Sequence, residues 1–331
     1  MQTTVSYLGL RLPHPFIAGA SPFGHRLDTV RRLEDAGCAA VVLHSLFEEQ
    51  IEASGEDRVR RVNGGDARAA ESLDGFPLAG DYPLGPDAYA EHLSRLKQAV
   101  AIPIIGSLNG TSPESWLTFA RVIEQAGADA LELNLYETVT DLHVTAAAVE
   151  NEFAGIVREV KRLLTIPVAV KVSPYFTAFG NMARQLDVAG ADGLVLFNRF
   201  YQADIDVNTG KATAHVELST SGELLLRLRW LAILYGRVRP SLAATGGVNT
   251  PEDGIKAILA GADVVQMVSA LLRHGSSHVQ TMRRGLEDWM EWHEVLTVDE
   301  MRGEASCERA ADPSALERAN YIRTLQSWGH S

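Results

Sequence analysis

One four-residue signature punctuates the chain and limits what it can fold into. It appears as Ala36-Gly37-Cys38-Ala39, Ala126-Gly127-Ala128-Asp129, Ala189-Gly190-Ala191-Asp192 and Ala260-Gly261-Ala262-Asp263. Each copy closes a stretch of helical periodicity and opens a β-rich apolar run, at 40–43, 130–135, 193–197 and 264–268. A glycine there lets a helix end in the left-handed region without steric cost, and the short apolar run after it reads as a strand buried on both faces. The unit that repeats is helix, glycine, strand.

Three more strands open on proline, which lacks an N–H and is tolerated at a strand's first residue. They follow Ile102-Pro103, Ile166-Pro167 and Arg239-Pro240, and a strand at 16–20 after Pro15 brings the total to eight. Ser112-Pro113 and Thr250-Pro251 each offer an N-cap oxygen followed by a proline at the first helical position. Behind these caps, Trp116, Phe119, Ala120 and Ile123 recur at helical spacing, as do Ile255, Ile258 and Leu259. Eight buried strands alternating with helices predict an α/β fold of the (β/α)8 barrel type. A doubly wound open sheet is the competing architecture, but Gly19-Ala20-Ser21-Pro22-Phe23-Gly24 lacks the G-x-G-x-x-G spacing expected after its first strand.

The barrel and its helices account for residues 1–295. Two segments exceed them. Residues 45–85, rich in charge, glycine and proline, leave the C-terminal end of the second strand, where barrels keep their active sites, and read as a lid. The tail, 296–331, carries an amphipathic helix over 316–325 that reads as packing on the barrel exterior.

Composition narrows the partners. A chain of 331 residues with 46% hydrophobic and 22% charged residues is globular. The excess of 42 acidic over 30 basic residues, a net charge of −12, repels phosphate backbones and anionic lipid. Nucleic acid and membrane surfaces are thus excluded as partners, while a small anion held locally is not. Cys38 and Cys307 are too few for a disulfide framework, a zinc site or an iron–sulfur cluster. With no signal-like N-terminus and no apolar run of membrane-spanning length, the expected location is the cytoplasm.

The residues expected just beyond the strands are unusually polar: Ser21, His44, Ser45, Ser107, Asn109, Asn134, Glu137, Lys171, Ser173, Asn198, Arg199, Thr245-Gly246-Gly247 and Ser269. In a barrel these converge on one face. Gly246 and Gly247, ending strand seven and opening a helix, suit backbone N–H groups closing on a phosphate, with Ser269 and Ala270 after strand eight as a second lip. The plainer account is a tight turn and a helix cap. Lys171, ending an apolar strand, needs an anionic or electron-rich partner. It suits a cofactor, a structural carboxylate, or the Schiff base of an aldolase. Asn134 could present donor and acceptor to a heteroaromatic edge, or simply form a turn.

At these residues the chain resembles the dihydroorotate dehydrogenase family of FMN-binding barrels. The likeness runs from Phe16-Ile17-Ala18-Gly19-Ala20-Ser21-Pro22 through Glu132-Leu133-Asn134-Leu135 and Val170-Lys171-Val172-Ser173-Pro174-Tyr175 to Ala244-Thr245-Gly246-Gly247-Val248. The resemblance implies FMN as cofactor. Lys171 would face the flavin N1/C2 oxygen region, where charge collects on reduction, and Ala20 and Ser21 would pass close to the isoalloxazine. Gly246, Gly247, Ser269 and Ala270 would hold the phosphate, and Ser45, Asn134, Phe197, Ser221 and Gly222 would complete the cofactor contacts. Substrate would meet His44, Asn109, Asn198 and Arg199. A homodimer follows from the family, as does an oxidoreductase acting on CH–CH bonds of a small polar substrate, with an unassigned redox partner.

The substrate half departs from the family pattern. Many members read Asn-Leu-Ser-Cys-Pro-Asn after strand four, where cysteine or serine removes the substrate proton. Here the loop reads Asn134-Leu135-Tyr136-Glu137-Thr138-Val139, which puts Glu137 at the base position. The family's strand-two lysine is replaced by His44-Ser45, and its Asn-rich segment has no counterpart in residues 70–77. Arg199 stands where the family has a small hydroxyl residue. Each has a plain alternative: His44 a satisfied histidine, Glu137 a solvated loop acid, Arg199 a partner of Asp204 or Asp206. Two rival functions remain beside the oxidoreductase: a Schiff-base aldolase or lyase using Lys171, and a non-catalytic flavin-binding subunit of a redox complex.

Overall fold

The computed structural model describes residues 1–47, 85–110, 112–199, 203–214, 217–316 and 325–326. The eight expected strands are all present. They are β3 (Phe16–Ala18), β4 (Val41–Phe47), β5 (Ile104–Asn109), β6 (Ala130–Leu135), β7 (Val168–Val172), β8 (Gly193–Leu196), β11 (Ser241–Thr245) and β12 (Val264–Met267). All pair in parallel and in chain order, and β12 returns to β3 with Val265 opposite Phe16, so the sheet closes and the open-sheet alternative falls.

The punctuation has a physical basis in the ends of the helices. Gly37, Gly127, Gly190 and Gly261 stand at φ of 81°, 94°, 103° and 119°, just past α1 (Leu27–Asp35), α3 (Pro113–Gln125), α5 (Phe179–Ala189) and α7 (Pro251–Ala260). The aspartate that closes three of the copies then reaches the neighbouring strand. Asp129 accepts the Ile104 N–H at 2.7 Å, Asp192 that of Val168 at 2.7 Å, and Asp263 that of Leu242 at 2.7 Å. Each also meets a cation: Lys97 at 2.6 Å, Lys161 at 2.5 Å and Arg302. One short motif thus ends a helix and pins the start of the preceding strand in register with the next one.

Ser112 and Thr250 cap their helices as expected, accepting the N–H groups of Ser115 and Asp253 at 3.3 Å each. The remaining long helices are α2 (Pro86–Ala99), α4 (Ala146–Leu163), α6 (Leu224–Leu234) and α9 (His278–Trp292), with short α8 (Ser269–His274) and α10 (Val298–Met301). Among the described residues no helix is long and apolar enough to cross a membrane.

Three details differ from expectation. β3 ends at Ala18, because the chain turns at Pro22 into a 3-10 helix (Pro22–His25). β4 continues to Phe47 across a register irregularity between Val42 and Ser45, so Ser45 is a strand residue and not the start of a lid. Two antiparallel hairpins were not anticipated: β1 (Val5–Tyr7) with β2 (Leu10–Leu12), and β9 (Ala203–Asp206) with β10 (Lys211–Ala214). The first closes the amino-terminal end of the barrel. A Cβ on Gly193 would lie 2.6 Å from Leu8 Cδ2, and the Leu8 N–H reaches Ser241 Oγ at 3.4 Å.

Residues after α9 run back along the barrel exterior. The N–H groups of Gly303, Ala305 and Cys307 donate to Ile258, Leu259 and Ala232 on α7 and α6. The expected lid over 48–84 and the core of the expected tail helix, 317–324, lie outside the described residues.

Candidate functional site

The carboxyl ends of the strands form a mouth with three chemically distinct parts. The first is the corner of β11 and β12. Gly246 and Gly247 both have φ of +82°, and a Cβ on Gly247 would stand 2.5 Å from the Leu224 backbone nitrogen. Only glycine takes that turn with the helix start so close. The Gly247 N–H donates to Ser219 Oγ at 3.1 Å, and Ser219 Oγ lies 2.9 Å from Ser269 Oγ, which also accepts the Ser219 N–H at 3.0 Å. Arg273 braces this knot, donating to Ser219 O at 2.7 Å and Asn249 Oδ1 at 2.6 Å. Beneath Gly246, buried Arg227 donates to Thr245 O at 3.0 Å and Glu223 O at 2.7 Å, and its burial pulls its pKa down. Ala270 is fully buried beside Ser269.

The second part is the barrel centre. Lys171 Nζ donates to Glu132 Oε1 at 2.7 Å, with the two side chains 8% and 1% exposed. Gln266 Nε2 donates to the other oxygen, Glu132 Oε2, at 2.7 Å. The ordinary account of Lys171, a carboxylate partner, is therefore realised, and the carboxylate is Glu132. Toward β4, Ser45 Oγ lies 2.7 Å from Ser107 Oγ. Asn109 Nδ2 donates to Asn134 O at 2.8 Å, and Asn134 stands opposite Lys171 in the ladder.

Several buried atoms on this side have no partner: Ser21 Oγ, Asn134 Oδ1, and both ring nitrogens of His44. His44 is not the satisfied histidine of the plain alternative. Its ring stacks on His25 at 3.8 Å, and burial, with His25 and His92 nearby, drags its pKa down to about 2, so it is neutral. Buried polar atoms are normally paired, so the orphans Ser21 Oγ after β3 and Asn134 Oδ1 on β6 mark a place for a polar ligand. The His44 ring instead packs among His25 of the 3-10 helix and Tyr89 and His92 of α2, in the layer between sheet and helices.

The third part is the rim after β6. Glu137 is exposed and lines two clefts. One, of about 690 Å³, also takes in Ser173, Tyr175 and Phe176, and the other, of about 390 Å³, takes in Asn109, Tyr136 and Glu152. The neighbouring Asp141 is spent on the His143 N–H at 2.9 Å.

Some expected residues are placed differently. The Phe197 ring packs edge-on against Phe179 of α5 at 4.9 Å, in the layer between sheet and helices, which leaves only its main chain for the mouth. Ser221 donates to Asp253 at 2.6 Å, and it and Gly222 are exposed at the edge of the corner. Arg199 Nη2 approaches Glu223 at 3.5 Å, whereas Asp206 accepts from Asn208 and Thr209 within its own hairpin. Asn198 continues from β8 by donating its N–H to Val172 O at 2.9 Å, and Ala20 is half-buried before Ser21. Sequence reasoning missed Ser219, Arg227, Glu132 and Gln266. Glu132 and Gln266 carried one usable signal, a polar side chain inside a run otherwise apolar.

A family model described as dihydroorotate dehydrogenase matches residues 3–290. The chain belongs to the dihydroorotate dehydrogenase family. Members of the family are FMN-dependent oxidoreductases acting on CH–CH bonds, and this chain is of that type. Among curated relatives, the chloroplastic dihydropyrimidine dehydrogenase (NADP(+)) of Arabidopsis thaliana is 27% identical over 91% of this chain and 76% of its own length. The NAD-dependent dihydropyrimidine dehydrogenase subunit PreA of Escherichia coli is 24% identical over 92% and 76%. The catalytic subunit of dihydroorotate dehydrogenase B (NAD(+)) of Thermoplasma acidophilum is 26% identical over 91% and 98%. The residues of the mouth fit the family's cofactor. The β11–β12 corner offers glycine N–H and serine O–H groups of the kind its phosphate takes, and the unpaired buried Asn134 Oδ1 stands opposite Lys171 as a polar edge of the kind its ring takes. When bound, FMN supplies a hydride acceptor at N5.

Proposed function

We propose that the chain oxidises a CH–CH bond of a dihydropyrimidine, or of a close chemical relative whose recognition differs from that of dihydroorotate. The observation that carries this reading is the pair of unpartnered buried atoms at the mouth, Ser21 Oγ and Asn134 Oδ1, with Asn134 opposite a lysine already held by a carboxylate. Gly246, Gly247, Ser219 and Ser269 bind the cofactor's phosphate. Lys171 and Asn134 hold the pyrimidine edge of its ring, with Ala20 and Ser21 against the ring and the edges of Ser45, Phe197, Ser221 and Gly222 around it. Asn109, Asn198 and Arg199 face the substrate.

The step removes a proton and a hydride from adjacent carbons and leaves a C=C bond. Glu137 takes the proton, since it is the acid common to both clefts beside the mouth, and bound FMN would supply the acceptor for the hydride. His44 stands in place of the family's strand-two lysine with its ring packed against His25 and Tyr89, so no fixed cation is offered at that point, which favours a substrate without a carboxylate there. Arg199, loosely paired with Glu223 at 3.5 Å, is left for an anionic group arriving from the other side. Lys171 Nζ is engaged by Glu132 at 2.7 Å, whereas a Schiff base needs that nitrogen free to attack a carbonyl, which disfavours the aldolase reading. We also propose a cytoplasmic homodimer passing electrons to a separate redox partner. Exposed Ile205 and Val207 of the β9–β10 hairpin and Leu225 of α6 supply apolar surface for such a contact.

The test is anaerobic mixing of FMN-loaded protein with dihydrouracil and, separately, with dihydroorotate. Loss of the yellow absorbance within a turnover with either establishes the reading, and faster loss with dihydrouracil fits the His44 argument. Flavin that neither compound bleaches overturns it and favours a non-catalytic subunit.

A further inference from the structure

The barrel centre holds a second charged residue for which the family resemblance gave no role. Glu132 is fully buried on β6 and has both oxygens engaged, Oε1 by Lys171 at 2.7 Å and Oε2 by Gln266 at 2.7 Å. It sits two residues before Asn134, on the amino-terminal side of the mouth, so Lys171, level with Asn134 in the ladder, stands between Glu132 and the ligand space. The hairpin that closes the barrel adds Tyr7 from β1. Its phenol is buried and its pKa is raised, first by burial and then by the Glu132 charge. The order from the closed end to the open end is therefore phenol, carboxylate, ammonium, mouth.

We infer that Glu132 is a positioning residue that aims Lys171 at the cofactor and, as its counter-ion, holds down the reduction potential of the flavin. This rests on the proposed FMN site. A buried ammonium without a counter-charge would be satisfied by the electrons arriving on the flavin, and reduction would become easier. Glu132 supplies that counter-charge beforehand, so reduced flavin gains less from Lys171 than it would from a lone cation. Gln266 fixes the orientation by occupying the second oxygen, which leaves Oε1 for Lys171. The Lys171 ammonium has three donors, and Glu132 takes one, so the others remain for the mouth.

The experiment is anaerobic spectroelectrochemistry of the FMN-loaded protein and of Glu132→Gln, which keeps the shape and removes the charge. The variant is expected to favour reduced over oxidised FMN by about tenfold more than the parent, a rise of about 30 mV for a two-electron couple. An unchanged or lower potential overturns the inference. Because one unpaired buried charge can prevent folding, Lys171→Gln is compared with Lys171→Gln/Glu132→Gln, in which neither charge remains. The double variant is expected to show the higher potential of the two, and equal potentials overturn the inference. A purely structural Glu132 would lower the melting temperature and leave both comparisons flat. Failure of the parent protein to bind FMN would instead strike the proposed function, and the two failures are distinguishable.

Discussion

The two sides of the mouth are built to opposite rules. At the β11–β12 corner the main polar groups are already engaged: Gly247 with Ser219, Ser219 with Ser269, Arg273 with Ser219 and Asn249, Arg227 with Thr245. On the β3–β6 side, Ser21 and Asn134 keep buried atoms with no partner among the described residues. The corner is a rigid cradle whose shape exists before any ligand arrives, which suits the proposed phosphate, since such a site binds with little ordering cost. The opposite side is held open at the expense of stability, since an unsatisfied buried polar atom costs about 1–3 kcal/mol. It can recover that cost only from a ligand. Cofactor anchoring and ring recognition are thus separated in space and in the way each is stabilised.

The comparison breaks most sharply at Gly247. Alanine there must adopt a φ of +82° with its Cβ 2.5 Å from the Leu224 backbone nitrogen, and no flexible side chain lies in the way to yield. Gly247→Ala should cost about 3 kcal/mol of stability and release the cofactor. Thermal unfolding, with the flavin content of the purified protein, checks both. A variant that keeps its melting temperature and its FMN would show that the corner is not rigid.

Much of this was legible in the sequence, and for a physical reason. The Ala-Gly-Ala-Asp copies mark the places where the chain must leave a helix and enter a buried strand, and that demand is local, so it shows in four consecutive residues. The barrel, its closure and the residues at its mouth follow from it. The glycine's part was readable, but the aspartate's was not, because Asp129 works on Ile104, 25 residues earlier. Ser219 escaped notice for the same reason: its partner Ser269 is 50 residues away. Glu132 and Lys171, 39 residues apart, become a pair only when β6 lies beside β7. The hairpin strands of β1 and β2 are three residues each, too short for alternation to register. Phe197 illustrates the converse error, since a residue at a strand's end was assigned to the mouth when its ring belongs to the outer packing layer.

The next test sharpens the open side. Glu137 is exposed and makes no hydrogen bond or ion pair among the described residues, so Glu137→Gln should fold with an unchanged melting temperature. If it is the proton acceptor, stopped-flow bleaching of the flavin by substrate should slow by about 100-fold. A rate within about threefold of the parent would move the acceptor to another group on the rim and leave the cradle untouched.

The smallest effect concerns His44 and runs opposite in sign to most core substitutions. Leucine in its place removes two buried nitrogens that have no partner, at the cost of the stack on His25, and should stabilise the protein at pH 7 by about 1 kcal/mol. The pH dependence identifies the cause. In the unfolded chain histidine takes up a proton near pH 6.5, but folded His44 does not until about pH 2, so the unfolded state binds the extra proton over that range. His44 stability is present above about pH 6.5 and is lost as pH falls toward the folded value. The advantage of His44→Leu should therefore grow by about 0.7 kcal/mol between pH 7 and pH 6. His14, pulled down to about 4 by burial, adds a similar slope to both proteins and cancels in the difference. Urea unfolding at the two pH values measures it, and a difference that stays constant with pH would mean that the His44 ring is charged or solvated.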